Sequence, residues 1–217
     1  RLLVERQREI DAFTPVAYWM MGVEARKGDG PKVTARLSRI DGEKASITDE
    51  QQSMMILGDL DQVKLWGFKN VGLPKDQMKA LTAAMKAAGK TTFLEVVTYD
   101  EESCLDGAQT AIDCGFDYLM GTLYYDSVAK LLKDNGMDYL PFVGKVSGSP
   151  SILEGTNEEI IQNAKDLMAK GVTGFDILAY RHVVDGEKLA YEFCAAVPAK
   201  ICIAGSINSF ARIDTMF

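Results

Sequence analysis

Histidine is nearly absent: His182 is the only one in the 217-residue chain. A metal centre built on several imidazoles is thereby excluded, and no group of His, Cys and carboxylate residues shows metal-ligand spacing. Cysteine is scarce as well. Cys104, Cys114, Cys194 and Cys202 sit in apolar or helical stretches with no C-x-x-C pair, which reads as reduced, buried thiols of a cytoplasmic protein. No apolar run is long enough to span a bilayer and no signal-peptide pattern opens the chain, so no membrane partner is expected. Neither a Walker loop nor a G-x-G-x-x-G stretch occurs, and no cofactor is called for. Positive charge is in deficit: 24 Lys and Arg stand against 31 Asp and Glu, for a net charge of −7. That balance argues against a broad basic face for nucleic acid, while leaving room for a local pocket that holds a small anion.

What is present is apolar material, at 47% of residues, enough for one sizeable core. From the middle of the chain onward, helical runs end at Gly89, Gly115, Gly136 and Gly171. Each is followed by a short apolar run: Thr91–Val97, Asp117–Gly121, Asp138–Val143 and Gly174–Ala179. A glycine suits a left-handed helix cap, and an unbroken apolar run suits a strand covered on both faces. Val33–Ile40, Val63–Phe68 and Lys200–Ala204 read as further strands, with helices over Thr48–Leu60, Lys75–Ala88 and Glu187–Ala196. Seven strands in βα order predict an α/β fold. A (β/α)8 TIM barrel is favoured, with its last strand beyond Phe217, over a doubly wound open sheet. Residues 1–32 read as an N-terminal extension and 33–217 as the barrel. Pro15–Val23 is expected either to pack on the barrel bottom or a partner subunit, or to be an eighth strand. A homo-oligomer is expected. The chain opens at Arg1 without methionine and ends at Phe217 inside a helical pattern, which reads as a chain clipped at one or both ends.

Strand parity then assigns side chains. The outer face of a barrel strand lies under helices and is apolar, whereas the inner face may turn polar at the C-terminal mouth. With Leu94, Val96, Phe175 and Ile177 outside, Glu95 and Asp176 point in. With Ala35, Leu37, Trp66 and Phe68 outside, Arg36 and Lys69 point in. Placing Leu140 and Phe142 outside brings Lys145 inward at the mouth. Charges inside a protein are paired or bind something. Two carboxylates among three cations could do acid–base chemistry on an anionic substrate, and Lys69 or Lys145 could attack a carbonyl. The competing reading is an internal ion-pair network.

Lys200-Ile-Cys-Ile-Ala-Gly-Ser-Ile-Asn-Ser209 reads as strand, tight turn and helix start. Such a turn offers bare backbone N–H groups to an anion, with phosphate the natural guest. Gly205, Ser206 and Ile207 are the binding candidates, with Arg181 and His182 just past strand six as further substrate contacts. The Ser147-Gly-Ser-Pro-Ser151 loop could act as a mobile lid or as a second set of anion-binding amides, with a plain flexible loop the favoured reading.

The βα order with Ile203-Ala-Gly-Ser-Ile207 late in the chain resembles the ribulose-phosphate-binding barrel superfamily. Gly115-Phe-Asp-Tyr-Leu-Met-Gly-Thr-Leu123 is similar to the fourth-strand segment of N-acetylmannosamine-6-phosphate epimerases. Their seventh strand carries a Glu where this chain has Ala204. Gly89-Lys-Thr-Thr-Phe-Leu-Glu95 is similar to glycerol-uptake antiterminators, which sense a phosphorylated ligand and bind RNA. The resemblance implies a small phosphorylated sugar or related metabolite as ligand. The expected chemistry is a metal-independent isomerase, epimerase, aldolase or lyase of carbohydrate metabolism, with Glu95, Asp176, Lys69 and Lys145 catalytic. The alternative is a non-catalytic phospho-ligand sensor.

Overall fold

The computed structural model describes residues 19–25, 33–38, 64–71, 73–207 and 212, the first two segments by their backbone. Ten strands occur among them: β1 (Trp19–Ala25), β2 (Val33–Ser38), β3 (Leu65–Lys69), β4 (Thr91–Glu95), β5 (Tyr118–Met120), β6 (Asp138–Leu140), β7 (Lys145–Ser147), β8 (Ile152–Glu154), β9 (Gly174–Ile177) and β10 (Lys200–Ile203). The helices are α1 (Lys75–Ala87), α2 (Glu101–Cys114), α3 (Asp126–Asp134), α4 (Asn157–Ala169) and α5 (Gly186–Ala196). The expected helix at Thr48–Leu60 lies outside the described residues.

Local chemistry sets the helix ends. Asp100 accepts a hydrogen bond from the Ser103 N–H at the start of α2, and Asp185 accepts one from the Lys188 N–H at the start of α5. Thr156 and Glu159 form a reciprocal capping box on α4, which satisfies two otherwise orphaned donors. At its other end α2 stops at Gly115, whose φ of 78° closes the last turn in a left-handed cap.

Eight strands run side by side in the order β6-β5-β4-β3-β1-β2-β10-β9. A bridge between Phe142 and Asp176 joins the two ends, and the Asp176 N–H donates to the Pro141 carbonyl at 3.0 Å. The sheet therefore closes on itself as a (β/α)8-like barrel. All neighbours pair in parallel except β1, which runs antiparallel to both β2 and β3. The eighth place is thus taken by β1, the second of the two placements open for that N-terminal run.

Two apolar layers follow from the period of two along each strand. Trp66, Phe68, Leu94 and Leu119 pack outward with Met85 of α1, Ala108 of α2 and Leu132 of α3. Phe175, Ile177, Ile201 and Ile203 pack outward with Leu167 of α4 and Phe193 of α5. Inside the ring Phe93, Met120, Leu140 and Cys202 form a separate cluster. Leu140 therefore faces inward, which corrects the parity expected for β6. The outward residue is Tyr139, which packs beneath the helices at 8% exposure. Its phenol oxygen bonds to the Thr122 hydroxyl at 2.6 Å and donates to the Leu123 carbonyl at 2.9 Å. A satisfied hydroxyl lets a tyrosine serve as an outward core residue.

Charged pairs close the N-terminal end of the barrel. The Lys200 ammonium donates to the Tyr118 hydroxyl and lies 3.4 Å from the Asp138 carboxylate. Asp117 holds Lys86 at 2.9 Å and accepts from the Thr92 N–H at 2.7 Å and the Thr92 hydroxyl at 2.8 Å. Burial works to raise the Asp117 pKa, but Lys86 and Thr92 outweigh it and hold the carboxyl below its ordinary range. A carboxyl with a depressed folded-state pKa contributes stability above its unfolded pKa, about 3.9 for Asp, and loses it as pH falls through the folded value. Asp117→Asn should thus lower stability by about 1 kcal/mol at pH 7. It should also flatten the fall in stability below about pH 4. Urea denaturation of both proteins across pH 2–7 checks this.

Candidate active site

The C-terminal ends of the strands carry the polar groups. β3 and β4 pair in parallel with Lys69 opposite Glu95. Both residues fall in the inward phase, since Phe68 and Leu94 go out. The Lys69 Nζ lies 3.3 Å from Glu95 Oε2. The Lys69 side chain is 25% exposed and that of Glu95 only 2%, so one partner reaches solvent at the mouth while the other is enclosed. The stem of Glu95 lies beside Gly121 at the end of β5, where a Cβ would come within 3.0 Å of Glu95 Cγ. Asp176 sits on β9 beside Cys202 of β10, fully buried in the inward phase.

Across the mouth, the chain leaves β10 through Ala204 into a turn at Gly205 and Ser206, with φ values of 79° and 58°. Ser206 is the only non-glycine residue with positive φ among the described residues, and such backbone strain collects at functional sites. The Arg181 side chain lies directly on this turn. A Cβ at Gly205 would come within 2.6 Å of Arg181 Nε, so a side chain there would displace the arginine. Arg181 Nε is buried with no hydrogen-bond partner among the described residues, while its Nη1 donates to the Ser151 carbonyl at 3.3 Å. Arg212 donates to the Ser206 carbonyl, and its guanidinium lies 5.0 Å from the Tyr180 ring centroid. Two arginines thus flank a tight turn in which Gly205 is buried and Ser206 half-buried.

Other expected site residues lie elsewhere. Lys145 is not at the mouth: it opens β7, is 77% exposed and lies 3.6 Å from Glu154 across the β7–β8 hairpin. The cause is local. Gly144 takes φ 78°, its N–H donates to the Asn163 side chain, and the chain turns out of the barrel before Lys145. His182 is a tie between segments, with Nε2 2.8 Å from the Gly155 carbonyl and Nδ1 3.4 Å from the Asp185 N–H. A carbonyl can only accept, so Nε2 donates to Gly155, while Nδ1 lies 3.4 Å from both the N–H and the carbonyl of Asp185. Both ring nitrogens are then committed to backbone. Arg36 lies on β2 opposite Gly22 of β1; its side chain falls outside the described residues. Ile207 is buried in the apolar layer beside β10.

Sequence reasoning missed Tyr99 and Ser151. The Tyr99 hydroxyl donates to the Gly148 carbonyl at 2.8 Å and meets the Ser151 hydroxyl at 2.6 Å. Ser151 is 7% exposed. The 145–154 hairpin is thereby pinned from the β4 side by Tyr99 and from the β9 side by Arg181. The polar Thr98-Tyr99 pair directly after β4 was the available signal. Tyr124 and Tyr125, just before α3, pack against other segments of the barrel. Tyr124 stacks on Tyr139 at 6.3 Å between ring centroids, and Tyr125 donates to the Tyr99 carbonyl. Burial and the nearby Asp126 carboxylate push the Tyr124 pKa up to about 12. A groove of about 760 Å³ lies at the opposite end, lined by Lys86, Lys90, Asp117 and Asp138, where barrels are built for stability. No helix among the described residues is long and apolar enough to cross a membrane.

No protein-family model matches the chain, and no curated protein does. Solved structures do. The 2-keto-3-deoxy-6-phosphogluconate aldolase of Zymomonas mobilis ZM4, solved with 3-phosphoglycerate, is similar at 14% identity and a TM-score of 0.53, over 96% of this chain and 79% of that one. A 4-hydroxy-2-oxoglutarate/2-dehydro-3-deoxyphosphogluconate aldolase from TTHB1 is similar at 12% identity and a TM-score of 0.47, over 86% and 90%. The first likeness shows a shared barrel fold.

If Tyr99 pins the hairpin, Tyr99→Phe should leave the global melting temperature within a few degrees, since one hydroxyl contributes about 1 kcal/mol. Limited proteolysis should then cut within residues 145–154 several-fold faster than in the unsubstituted protein. Equal cleavage rates would show that the hydroxyl does not hold the loop.

Proposed function

We propose that this barrel is a lyase of the aldolase type acting on a small phosphorylated 2-keto metabolite, with Lys69 as nucleophile and Glu95 as proton carrier. The observation that carries this reading is the Lys69–Glu95 pair at 3.3 Å, with the carboxylate enclosed and the amine reaching the mouth. A carbon–carbon lyase needs an amine that can form an imine and a base within hydrogen-bond reach. Glu95 takes the ammonium proton, and the free amine of Lys69 attacks the substrate carbonyl carbon. A C–N bond forms, Glu95 returns its proton to the carbonyl oxygen, a second proton passes there from the nitrogen, and the oxygen leaves as water, so that Glu95 is a carboxylate again. With the cationic imine as electron sink, Glu95 removes the proton from the hydroxyl beside the scissile bond. That bond breaks to release an aldehyde and leave an enamine. The enamine carbon takes a proton back, and water hydrolyses the imine to free the keto product and Lys69.

In this reading the amides at Gly205, Ser206 and Ile207 hold the phosphate with Arg181, and Asp176 is a second proton carrier on the inner wall. Membership of the ribulose-phosphate-binding barrels and a catalytic unit within residues 33–217 belong to the same proposal. The name of the Zymomonas protein supports choosing phosphorylated 2-keto acids as first probes. An isomerase would use the same carboxylates without the amine, and the closeness of Lys69 to Glu95 favours the lyase. A sensor would bind the phospho-ligand and leave it unchanged.

The test combines trapping with turnover. Borohydride added with a phosphorylated 2-keto acid should attach the reduced adduct to Lys69, seen as a mass increase on its peptide. Glu95→Gln should keep affinity for the ligand while lowering turnover by about 10²–10⁴. Tight binding with no adduct at Lys69 and no conversion would overturn the lyase and favour the sensor.

A further inference from the structure

We infer that Gly121 is a positioning residue: its missing side chain is the space in which the stem of Glu95 lies, and this aims the carboxylate at Lys69. The inference rests on the proposed role of the Lys69–Glu95 pair. Gly121 follows β5 with φ 86°. A Cβ on it would sit 3.0 Å from Glu95 Cγ, 3.3 Å from the Val96 carbonyl oxygen and 3.4 Å from the Phe142 ring. Only one of these three neighbours can give way. The Val96 carbonyl is backbone next to a ladder bond, since the Val96 N–H donates to the Met120 carbonyl at 2.9 Å. Phe142 is 3% exposed and flanks the bridge that closes the barrel. The side chain of Glu95 is the movable one, and its Oε2 lies 3.3 Å from Lys69 Nζ.

The backbone holds Gly121 in place for this purpose. Its N–H donates to the Leu140 carbonyl at 3.2 Å, and the Phe142 N–H donates to the Thr122 carbonyl at 2.8 Å. The ends of β4, β5 and β6 are thus laced together around the Glu95 stem. A methyl at 121 cannot be absorbed by a shift of the loop, so it displaces the carboxylate by a few tenths of an ångström. An ion pair at the edge of solvent is sensitive to that change.

Gly115 supplies the control. It has nearly the same φ, 78°, but a Cβ there would meet nothing within 4 Å. Gly115→Ala therefore pays the backbone strain of a left-handed alanine without touching Glu95. The readout is the rate at which the Lys69 amine is labelled by acetic anhydride at pH 7.5, followed by mass spectrometry and normalised to the exposed Lys130. Gly121→Ala should raise that rate about two- to fivefold by weakening the ion pair, while Gly115→Ala leaves it unchanged at a comparable loss of thermal stability. Should Gly121→Ala not fold, Phe142→Leu, which trims the ring 3.4 Å from the same Cβ position, decides the matter: a faster Lys69 supports the proposal. An unchanged Lys69 in Gly121→Ala, an equal change in Gly115→Ala, or an unchanged Lys69 in Phe142→Leu would overturn it. Because labelling reads the ion pair and needs no substrate, failure of the lyase reading would appear separately, as the absence of a trapped adduct in the unsubstituted protein.

Discussion

Everything at the mouth depends on one contact, the ion pair of Lys69 with Glu95. It exists because β3 and β4 are parallel and in register, so their last residues stand side by side in the inward phase. A shift of one residue would send both charges under the helices, where Trp66, Phe68 and Leu94 now lie. Unpaired burial of Glu95 would be costly, and breaking a buried pair by removing one partner destabilises by about 3–5 kcal/mol. The 25% exposure of the lysine places this pair short of that limit. It leaves the amine in reach of solvent.

The rest of the barrel explains why the polar groups gather at this end. The interior holds an apolar plug of Phe93, Met120, Leu140 and Cys202. Below the plug, Lys200, Tyr118 and Asp138 satisfy one another. Above it, the strand ends carry Glu95, Asp176 and the Gly205–Ser206 turn, and the 145–154 hairpin is tied to this end through Tyr99 and Arg181. Strained backbone at Ser206 and an enclosed carboxylate at Glu95 are local costs that the packed layers beneath can hold.

Much of this was legible in the sequence, and the reasons are physical. Helix–glycine–strand repeats revealed βα units because left-handed caps and doubly covered strands constrain composition strongly. Parity worked for β3, β4 and β9, where large apolar residues flank a single charge. It failed for β6, because Tyr139 reads as polar yet packs outward with its hydroxyl satisfied by Thr122 and Leu123. Carrying that error forward put Lys145 at the mouth, whereas Gly144 turns the chain into a hairpin first. The antiparallel entry of β1 had no signature in periodicity, since strand direction leaves none. The Tyr99–Ser151 contact joins residues 52 apart, a separation that local patterns cannot report.

The most direct test of the account is a crystal structure of the protein after borohydride reduction with a phosphorylated 2-keto acid. The account predicts a covalent bond from Lys69 Nζ to the former carbonyl carbon, Glu95 within hydrogen-bond distance of the adduct, and the phosphate on the Gly205–Ile207 amides beside Arg181. An adduct on any other lysine, or a phosphate bound away from that turn, would contradict it.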